Sequence, residues 1–251
     1  MKRLDYILLT ALIALGVVVG YQARGIRPYI AAGAIGVDAP ARSAARAGGA
    51  DDVGAKGGEV ARNPGEVRRR LQIGEAGTYI GEVLADHDSA LARWPDRTAR
   101  PLRVWIQPSS PVSDWRPEFV RETRDAFTRW QETGIPVRFD FVADSAQGDV
   151  HVGWIDRFDE PISGKTLWAR DGRWWIIEAN ITLAVHHRGG EPLDVSAMRA
   201  IALHEVGHLL GLDHTADPTN IMTPKVRVRD LSSADQATVR LLYTLPPGSV
   251  R

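Results

Sequence analysis

The sequence predicts an α+β domain with a twisted, mixed and mostly parallel five-stranded sheet. Three observations support this fold class. Five strand segments follow residue 101, three with alternating apolar residues and two around a hairpin turn. A helical apolar stripe separates the first two segments, and capping signals mark two later helices. The chain has 251 residues, of which 44% are hydrophobic, so it can bury one sizeable core.

Five segments are predicted as strands, and the first three have a period of two, which places alternate apolar side chains on one face of a sheet. Their sequences are LRVWIQ, VRFDFV, DVHVGWI, KTLWAR and RWWIIEANITLAV. The last two flank the pair Asp171-Gly172, which is typical of a hairpin turn. We therefore expect these two strands to be antiparallel neighbours.

The first helix is predicted over residues 117–133, between the first two strands. Phe119, Phe127 and Trp130 fall on one helical stripe, which would face the sheet. Asp114 is a candidate N-cap, and Gly134 is a candidate stop signal.

Two further helices are predicted in the C-terminal third of the chain. One begins near the candidate N-cap Asp194 and runs to Leu210, where Gly211 ends it. The last begins at Ser232, which with Asp235 resembles a capping box that has Asp in place of the usual Glu or Gln.

The chain divides into four regions by composition. Residues 1–24 have two basic residues, Lys2 and Arg3, ahead of a long apolar run, which is typical of a signal anchor or a signal peptide. Residues 25–65 are rich in Ala and Gly and predict a disordered linker. Residues 66–98 predict a short helical pro-segment or an N-terminal extension, and residues 99–247 form the main domain.

The N-terminal region predicts where the protein is located. An uncleaved anchor gives a single-pass protein of the cell membrane, with the main domain in the periplasm or outside the cell. A cleaved signal gives a secreted protein instead. The membrane is thus an expected partner, through residues 1–24 alone.

Charge and cysteine content exclude several other classes of function. The chain has 31 basic and 31 acidic residues, so nothing indicates binding to nucleic acid. It has no cysteine, which excludes disulfides and thiolate metal sites. Any metal must therefore bind to His, Asp, Glu or carbonyl oxygen.

Residues 204–214 read HEVGHLLGLDH and predict a metal site. His204 and His208 are four residues apart on a helix, so both imidazoles lie on one face and can bind one ion. Gly211 permits a left-handed turn that returns the chain, and His214 then supplies the third ligand. Three protein ligands and one open position are typical of a catalytic zinc ion.

Glu205 follows the first ligand and is the candidate catalytic residue. A carboxylate beside the open position can take a proton from metal-bound water and pass it to a leaving amine. Two alternatives stay open for the histidines. They could be incidental residues of an amphipathic helix, or they could belong to a closed structural zinc site with a fourth protein ligand.

The motif resembles the signature H-E-x-x-H-x-x-G-x-x-H of the metzincin zinc proteases, which is followed by a methionine turn. That turn is present as NIMTP, with Met222 eight residues after His214. Within this group, LLGLDHT, Pro224 and the closing DLSSADQATVRLLY are most similar to the matrixins, of the peptidase family M10 type. The resemblance covers residues 101 to 245, and it is specific at residues 204–224.

This resemblance implies a zincin fold, with an active-site helix and a C-terminal helix beside the sheet. It implies a monomeric zinc metalloendopeptidase with one catalytic zinc ion and a protein or peptide substrate. Gly211, Met222 and Pro224 would be structural at the site, with Met222 below the metal. The substrate would lie extended along an edge strand, in contact with these residues: Thr166, Leu167, Trp168 and Ala169.

Other functions and cofactors stay open as well. The chain could be an inactive relative that binds zinc and acts as a protein- or peptide-binding module, or a zinc hydrolase of non-protein amides. Calcium could bind to Asp156, Asp159 and Glu160, although the sequence favours a solvated acidic loop at these residues. Matrixin latency often uses a pro-segment cysteine, which this chain lacks.

Overall fold

A computed structural model describes residues 27–30, 64–87 and 89–250 of the chain. The helices are α1 (Pro64–Gly74), α2 (Ile80–Asp86), α3 (Glu118–Gln131), α4 (Val195–Leu209) and α5 (Ser233–Thr244). The strands are β1 (Arg27–Ile30), β2 (Ala90–Leu91), β3 (Arg97–Ile106), β4 (Val137–Val142), β5 (Val150–Ile155), β6 (Gly164–Arg170), β7 (Ile176–Ala184) and β8 (Gly248–Ser249). A short 3-10 helix spans Ser145–Gln147.

Six strands form one mixed sheet in the order β1-β6-β7-β5-β3-β4. The pairs β3–β4, β3–β5 and β5–β7 are parallel, whereas β6 is antiparallel to β7 and to β1. The antiparallel strand β6 thus lies at the side of the sheet that is nearest to α4.

Helices α3 and α4 pack against each other and against the sheet. Helix α3 contacts β4, and α4 contacts β6 and β7. The core between these layers includes the fully buried Phe119, Phe127, Trp130 and Met198. The indole of Trp130 also donates a hydrogen bond to the carbonyl oxygen of Leu203, at 2.8 Å, and so joins the two helices.

The five predicted strands and their mixed pairing are confirmed. The predicted caps Asp194 and Ser232 are also observed, since each side chain accepts a hydrogen bond from a backbone N–H of its helix. The predicted N-cap Asp114 is wrong, because α3 begins after Pro117. Asp114 instead adopts a positive φ of 60°.

Residues before the main domain pack on its C-terminal helix. The Tyr79 hydroxyl donates a hydrogen bond to Asp235 Oδ1 at 2.9 Å, and the Tyr79 N–H donates one to Thr238 Oγ1 at 3.1 Å. Strand β2 pairs with β8, which follows that helix. Residues 79–87 and 89–91 are therefore part of the folded unit. This holds whether residues 66–98 are a pro-segment or an N-terminal extension.

Two of the predicted regions lie largely outside the described residues. Residues 1–24 are not described, and of residues 25–65 the structure describes only β1 and the start of α1. Strand β1 pairs with β6 at a place where the sequence predicts a disordered linker. In the described part of the chain, no helix has the length and apolar character needed to cross a bilayer.

Candidate metal centre and catalytic site

Helix α4 supplies two buried imidazoles on one face, as the spacing of four residues predicts. His204 Nε2 and His208 Nε2 lie 3.0 Å apart, and the side chains are almost fully buried. The helix is fixed at its start by Asp194, whose carboxylate accepts a hydrogen bond from Ala197 N at 2.6 Å. Its end is bound to the core by Trp94, whose indole donates to the carbonyl oxygen of Leu209 at 2.9 Å.

The chain reverses after this helix and returns a third imidazole. Gly211 has a φ of +95°, in the left-handed region that glycine adopts without steric cost. His214 Nε2 then lies 3.2 Å from His204 Nε2. Among the residues that the structure describes, these three histidines are the one group of three or more candidate ligands with ligand atoms within 4.8 Å.

The hydrogen bonds of these rings fit a metal ion. His204 Nδ1 lies 2.8 Å from the carbonyl oxygen of Ile221, and His208 Nδ1 lies 3.0 Å from that of Leu212. Because a carbonyl oxygen can only accept, each Nδ1 carries the proton, and each Nε2 presents a lone pair. Tetrahedral zinc with Zn–N bonds of 2.0–2.1 Å requires nitrogens about 3.3 Å apart, close to the observed separations.

Burial keeps these imidazoles neutral, which is the form that binds metal. Burial lowers the pKa of His208 to about 4 and moves that of His204 well below its ordinary value. It also lowers the pKa of His214, although the neighbouring Asp213 acts in the opposite direction. The site can therefore hold a divalent cation near neutral pH.

Glu205 lies on the same helix, and its carboxyl group is buried beside the sheet. Burial raises its pKa to about 7, against the opposing effect of a hydrogen bond from Thr166. A carboxyl group whose pKa is near neutrality can both accept and release a proton at physiological pH. This property is suited to the acid–base role that the sequence predicts for Glu205.

The methionine turn packs below the histidines. Met222 is fully buried, and it lies so close to Gly207 of α4 that a Cβ at residue 207 would overlap its sulfur atom. The turn is joined to the metal site at two points. Ile221 accepts the hydrogen bond from His204, and the carbonyl oxygen of Met222 accepts one from Thr215 N at 3.1 Å.

A comparison with known families agrees with this geometry. The model of the matrixin family (Peptidase_M10) matches residues 94–244, which is more than half of the chain. The chain belongs to the matrixin family. The matched residues include the sheet strands from β3 to β7, both helices of the core and all three histidines.

Several plant metalloendoproteinases are similar to this matrixin domain. Metalloendoproteinase 1-MMP of Arabidopsis thaliana is 31% identical over 133 residues, which cover 48% of this chain and 36% of that protein. Metalloendoproteinase 2-MMP of the same plant is 26% identical over 176 residues, or 62% and 44% of the two chains. Metalloendoproteinase 1 of Glycine max is 28% identical over 148 residues, or 54% and 44%. The chain thus spans less than half the length of these curated relatives.

The segment before the matched matrixin domain contacts the loop of the third histidine. Glu82 of α2 accepts hydrogen bonds from Thr215 Oγ1 at 3.0 Å and from Ala216 N at 2.7 Å. His87 Nε2 lies 2.9 Å from Asp213 Oδ2. Although burial would raise the pKa of Asp213, the contact with His87 brings it to about 2. No local sequence signal indicates these contacts, because the partners are more than 120 residues apart in the chain.

An open cavity of about 320 Å³ lies between this segment and the metal site. His214 and Pro224 line one side, and Glu82 and Asp86 line the other. Pro224, predicted as structural, is exposed at this cavity, whereas Met222 and Gly211 are buried. The segment before the matrixin domain therefore forms part of the surface around the third histidine.

The four residues predicted to bind substrate all lie on β6, but their side chains differ in exposure. Thr166, Trp168 and Ala169 are buried, and Leu167 is 38% exposed. Thr166 contacts Glu205, a contact that the sequence does not predict. On the outer edge of β6, Ile30 of β1 pairs with Leu167 and Tyr29 pairs with Trp168. This edge thus accepts an extended antiparallel segment.

The residues predicted to bind calcium do not form a group of ligands in the described part of the chain. Asp156 instead contacts His186, with Oδ1 2.8 Å from Nδ1. Asp114 Oδ2 lies 3.1 Å from Nε2 of the same ring. His186 therefore joins the loops that contain Asp114 and Asp156. Calcium stays a prediction without structural support.

Proposed function

We propose that this chain is a zinc-dependent endopeptidase. The observation that supports this most directly is the convergence of three imidazole Nε2 atoms beside a buried carboxyl group. His204, His208 and His214 would hold the zinc ion. When bound, zinc polarises the substrate carbonyl and lowers the pKa of water to about 7.

Glu205 would transfer the proton in this reaction. Its carboxylate accepts a proton from the attacking water and then donates it to the nitrogen of the leaving amine. A single group can perform both steps because burial brings its pKa to about 7, near the working pH. Membership of the matrixin family and the metalloendoproteinase relatives support this assignment.

The substrate would bind as an extended peptide along the outer edge of β6, with Thr166 to Ala169 at its backbone. Backbone pairing supplies hydrogen bonds without demanding a particular sequence, and Leu167 offers an exposed apolar contact. Because Arg27–Ile30 pair with this edge in the antiparallel direction, we propose that the peptide also runs antiparallel to β6. A substrate that binds at this edge of β6 therefore displaces Arg27–Ile30.

The substitution Glu205→Gln tests the proposal. It replaces the proton acceptor with an amide of the same shape, so zinc should remain bound while kcat on a generic unfolded protein falls roughly 100-fold or more. Zinc content measured by atomic absorption provides the control. Equal cleavage by both proteins would contradict the role of Glu205. A wild-type protein that cleaves wall-derived peptides but not unfolded proteins would instead be a hydrolase of non-protein amides.

We further propose that residues 1–24 place the domain outside the cytoplasm, as a membrane anchor or as a cleaved signal. The support is the apolar run after two basic residues. The intact mass of the native protein decides between the two forms. A mature chain that starts after about residue 20 would contradict the anchor.

A further inference from the structure

Strand β6 contacts Glu205 through two residues that face helix α4. Thr166 Oγ1 lies 2.6 Å from Glu205 Oε2 and 3.0 Å from the Glu205 carbonyl oxygen. Both side chains are almost completely buried, with exposures of 2% for Thr166 and 4% for Glu205. Gly164 lies two residues earlier on the same face of the strand.

Gly164 provides space for the Glu205 side chain. A Cβ at residue 164 would lie 2.7 Å from Glu205 Cγ and 2.7 Å from Cδ, shorter than any normal carbon–carbon contact. Residues 164 and 166 therefore form a cradle for the side chain of Glu205. Gly164 gives room for the carboxyl group, and Thr166 supplies its hydrogen bond.

The hydroxyl of Thr166 has one proton, and the distances indicate which oxygen receives it. A length of 2.6 Å is typical of an O–H···O⁻ bond to a carboxylate, whereas 3.0 Å to the carbonyl oxygen is longer than usual. The proton is therefore donated to Oε2. In the described part of the chain, no hydrogen bond to Oε1 is observed, so Oε1 is the oxygen left to exchange a proton with water.

We propose that Thr166 and Gly164 are positioning residues for the general base: Thr166 fixes Oε2 and orients Oε1, and Gly164 leaves space for that orientation. This inference rests on the proposed role of Glu205. It gives Thr166 a function different from the substrate contact that the resemblance to the matrixins implies for it. A general base must be held within hydrogen-bond reach of its proton, and a misplacement of about 1 Å can cost roughly 100-fold in rate.

The test compares Thr166→Val with Thr166→Ser in the zinc-loaded full chain. Valine keeps the shape and removes the hydroxyl, so kcat on a peptide substrate should fall roughly 10- to 100-fold while KM stays within about 2-fold. Serine keeps the hydroxyl and should retain kcat within about 3-fold of the wild type. Thr123→Val is the matched control, since Thr123 is buried and its hydroxyl donates to the Phe119 carbonyl oxygen within its own helix.

A double-mutant cycle separates positioning from a purely structural role. In the Glu205→Gln background the general base is already lost, so Thr166→Val should have little further effect on kcat. An equal fold-loss in both backgrounds, or an unchanged kcat in Thr166→Val alone, would overturn the proposal. If Glu205→Gln itself had no effect, the proposed function would fail instead, so the two failures are distinguishable.

A measurement without metal or substrate tests the contact itself. In the metal-free protein, Thr166→Val should lower the urea midpoint of unfolding by more in the wild-type background than in the Glu205→Ala background. Both backgrounds offer the backbone carbonyl of residue 205, but only the wild type has the shorter bond to the carboxylate to lose. Equal shifts in both would overturn the proposal. The variant Gly164→Ala should lower kcat through displacement of Glu205 while the zinc content stays unchanged, and an unchanged kcat would likewise contradict the cradle.

Discussion

Gly211 permits the reversal that brings the third histidine to the site, and Gly211→Ala tests that reasoning. The residue has a φ of +95°, and a Cβ there would overlap the carbonyl oxygen of Ala92. A left-handed conformation costs a non-glycine residue about 1–2 kcal/mol, and overpacking against fixed backbone adds about 1–3 kcal/mol. We therefore expect the free energy of unfolding to fall by about 2–5 kcal/mol, a large part of the stability of a typical domain.

The assay is urea unfolding of the metal-free protein, with Gly134→Ala as the matched control. Gly134 also has a positive φ, of +85°, but nothing lies within 4 Å of its would-be Cβ. Its substitution should therefore cost only the conformational part, about 1–2 kcal/mol. Gly211→Ala should in addition weaken zinc binding, because His214 follows three residues later. Equal destabilisation by the two variants, with zinc binding unchanged in both, would refute the reasoning.

Two further predictions concern the third ligand and pH. Glu82→Ala removes both hydrogen bonds to the loop after His214 and should weaken zinc affinity up to about 10-fold, measured by chelator competition. Glu66→Ala is its control, since Glu66 is partly exposed and pairs with Arg69 of its own helix. Equal affinities of the two variants would contradict the effect. In the metal-free protein, the pKa of His208 is about 4 when folded and 6.5 when unfolded. The unfolded chain therefore binds more protons between these values, and the free energy of unfolding should fall by on the order of 3 kcal/mol as pH drops from 6.5 to 4. Unfolding curves across this range measure the loss, and a slope that His208→Asn leaves unchanged would contradict it.

The sequence predicts those parts of the site that depend on local spacing. Two histidines four residues apart, a glycine that reverses the chain and a capping box at Ser232 are all short-range patterns, and each is observed. The five strands are also predicted, three from alternation over six or more residues and two from the hairpin turn between them.

Contacts between distant segments could not be predicted in this way. The bonds of Thr166 to Glu205 and of Glu82 to Thr215 join residues that are far apart in the chain, and nothing in either segment indicates its partner. Asp114 has the right residue type for an N-cap, but the helix begins after Pro117 and the residue takes another conformation. Strand β1 has only four residues, which are too few to show a period. It is recognised as a strand by its pairing with β6.

The pairing of Ala90 with Ser249 has a consequence for how the domain folds. Strands that are distant in sequence lose more chain entropy when they meet than neighbouring strands do, so this pair should form late. Tyr79 precedes this pair in the chain and contacts Asp235, in the C-terminal helix of the domain. During synthesis, the residues around Tyr79 leave the ribosome early. Their contacts form only after Asp235 and the final strand have been synthesised. A nascent chain that stops before α5 should fail to acquire zinc, even though all three histidines are already present.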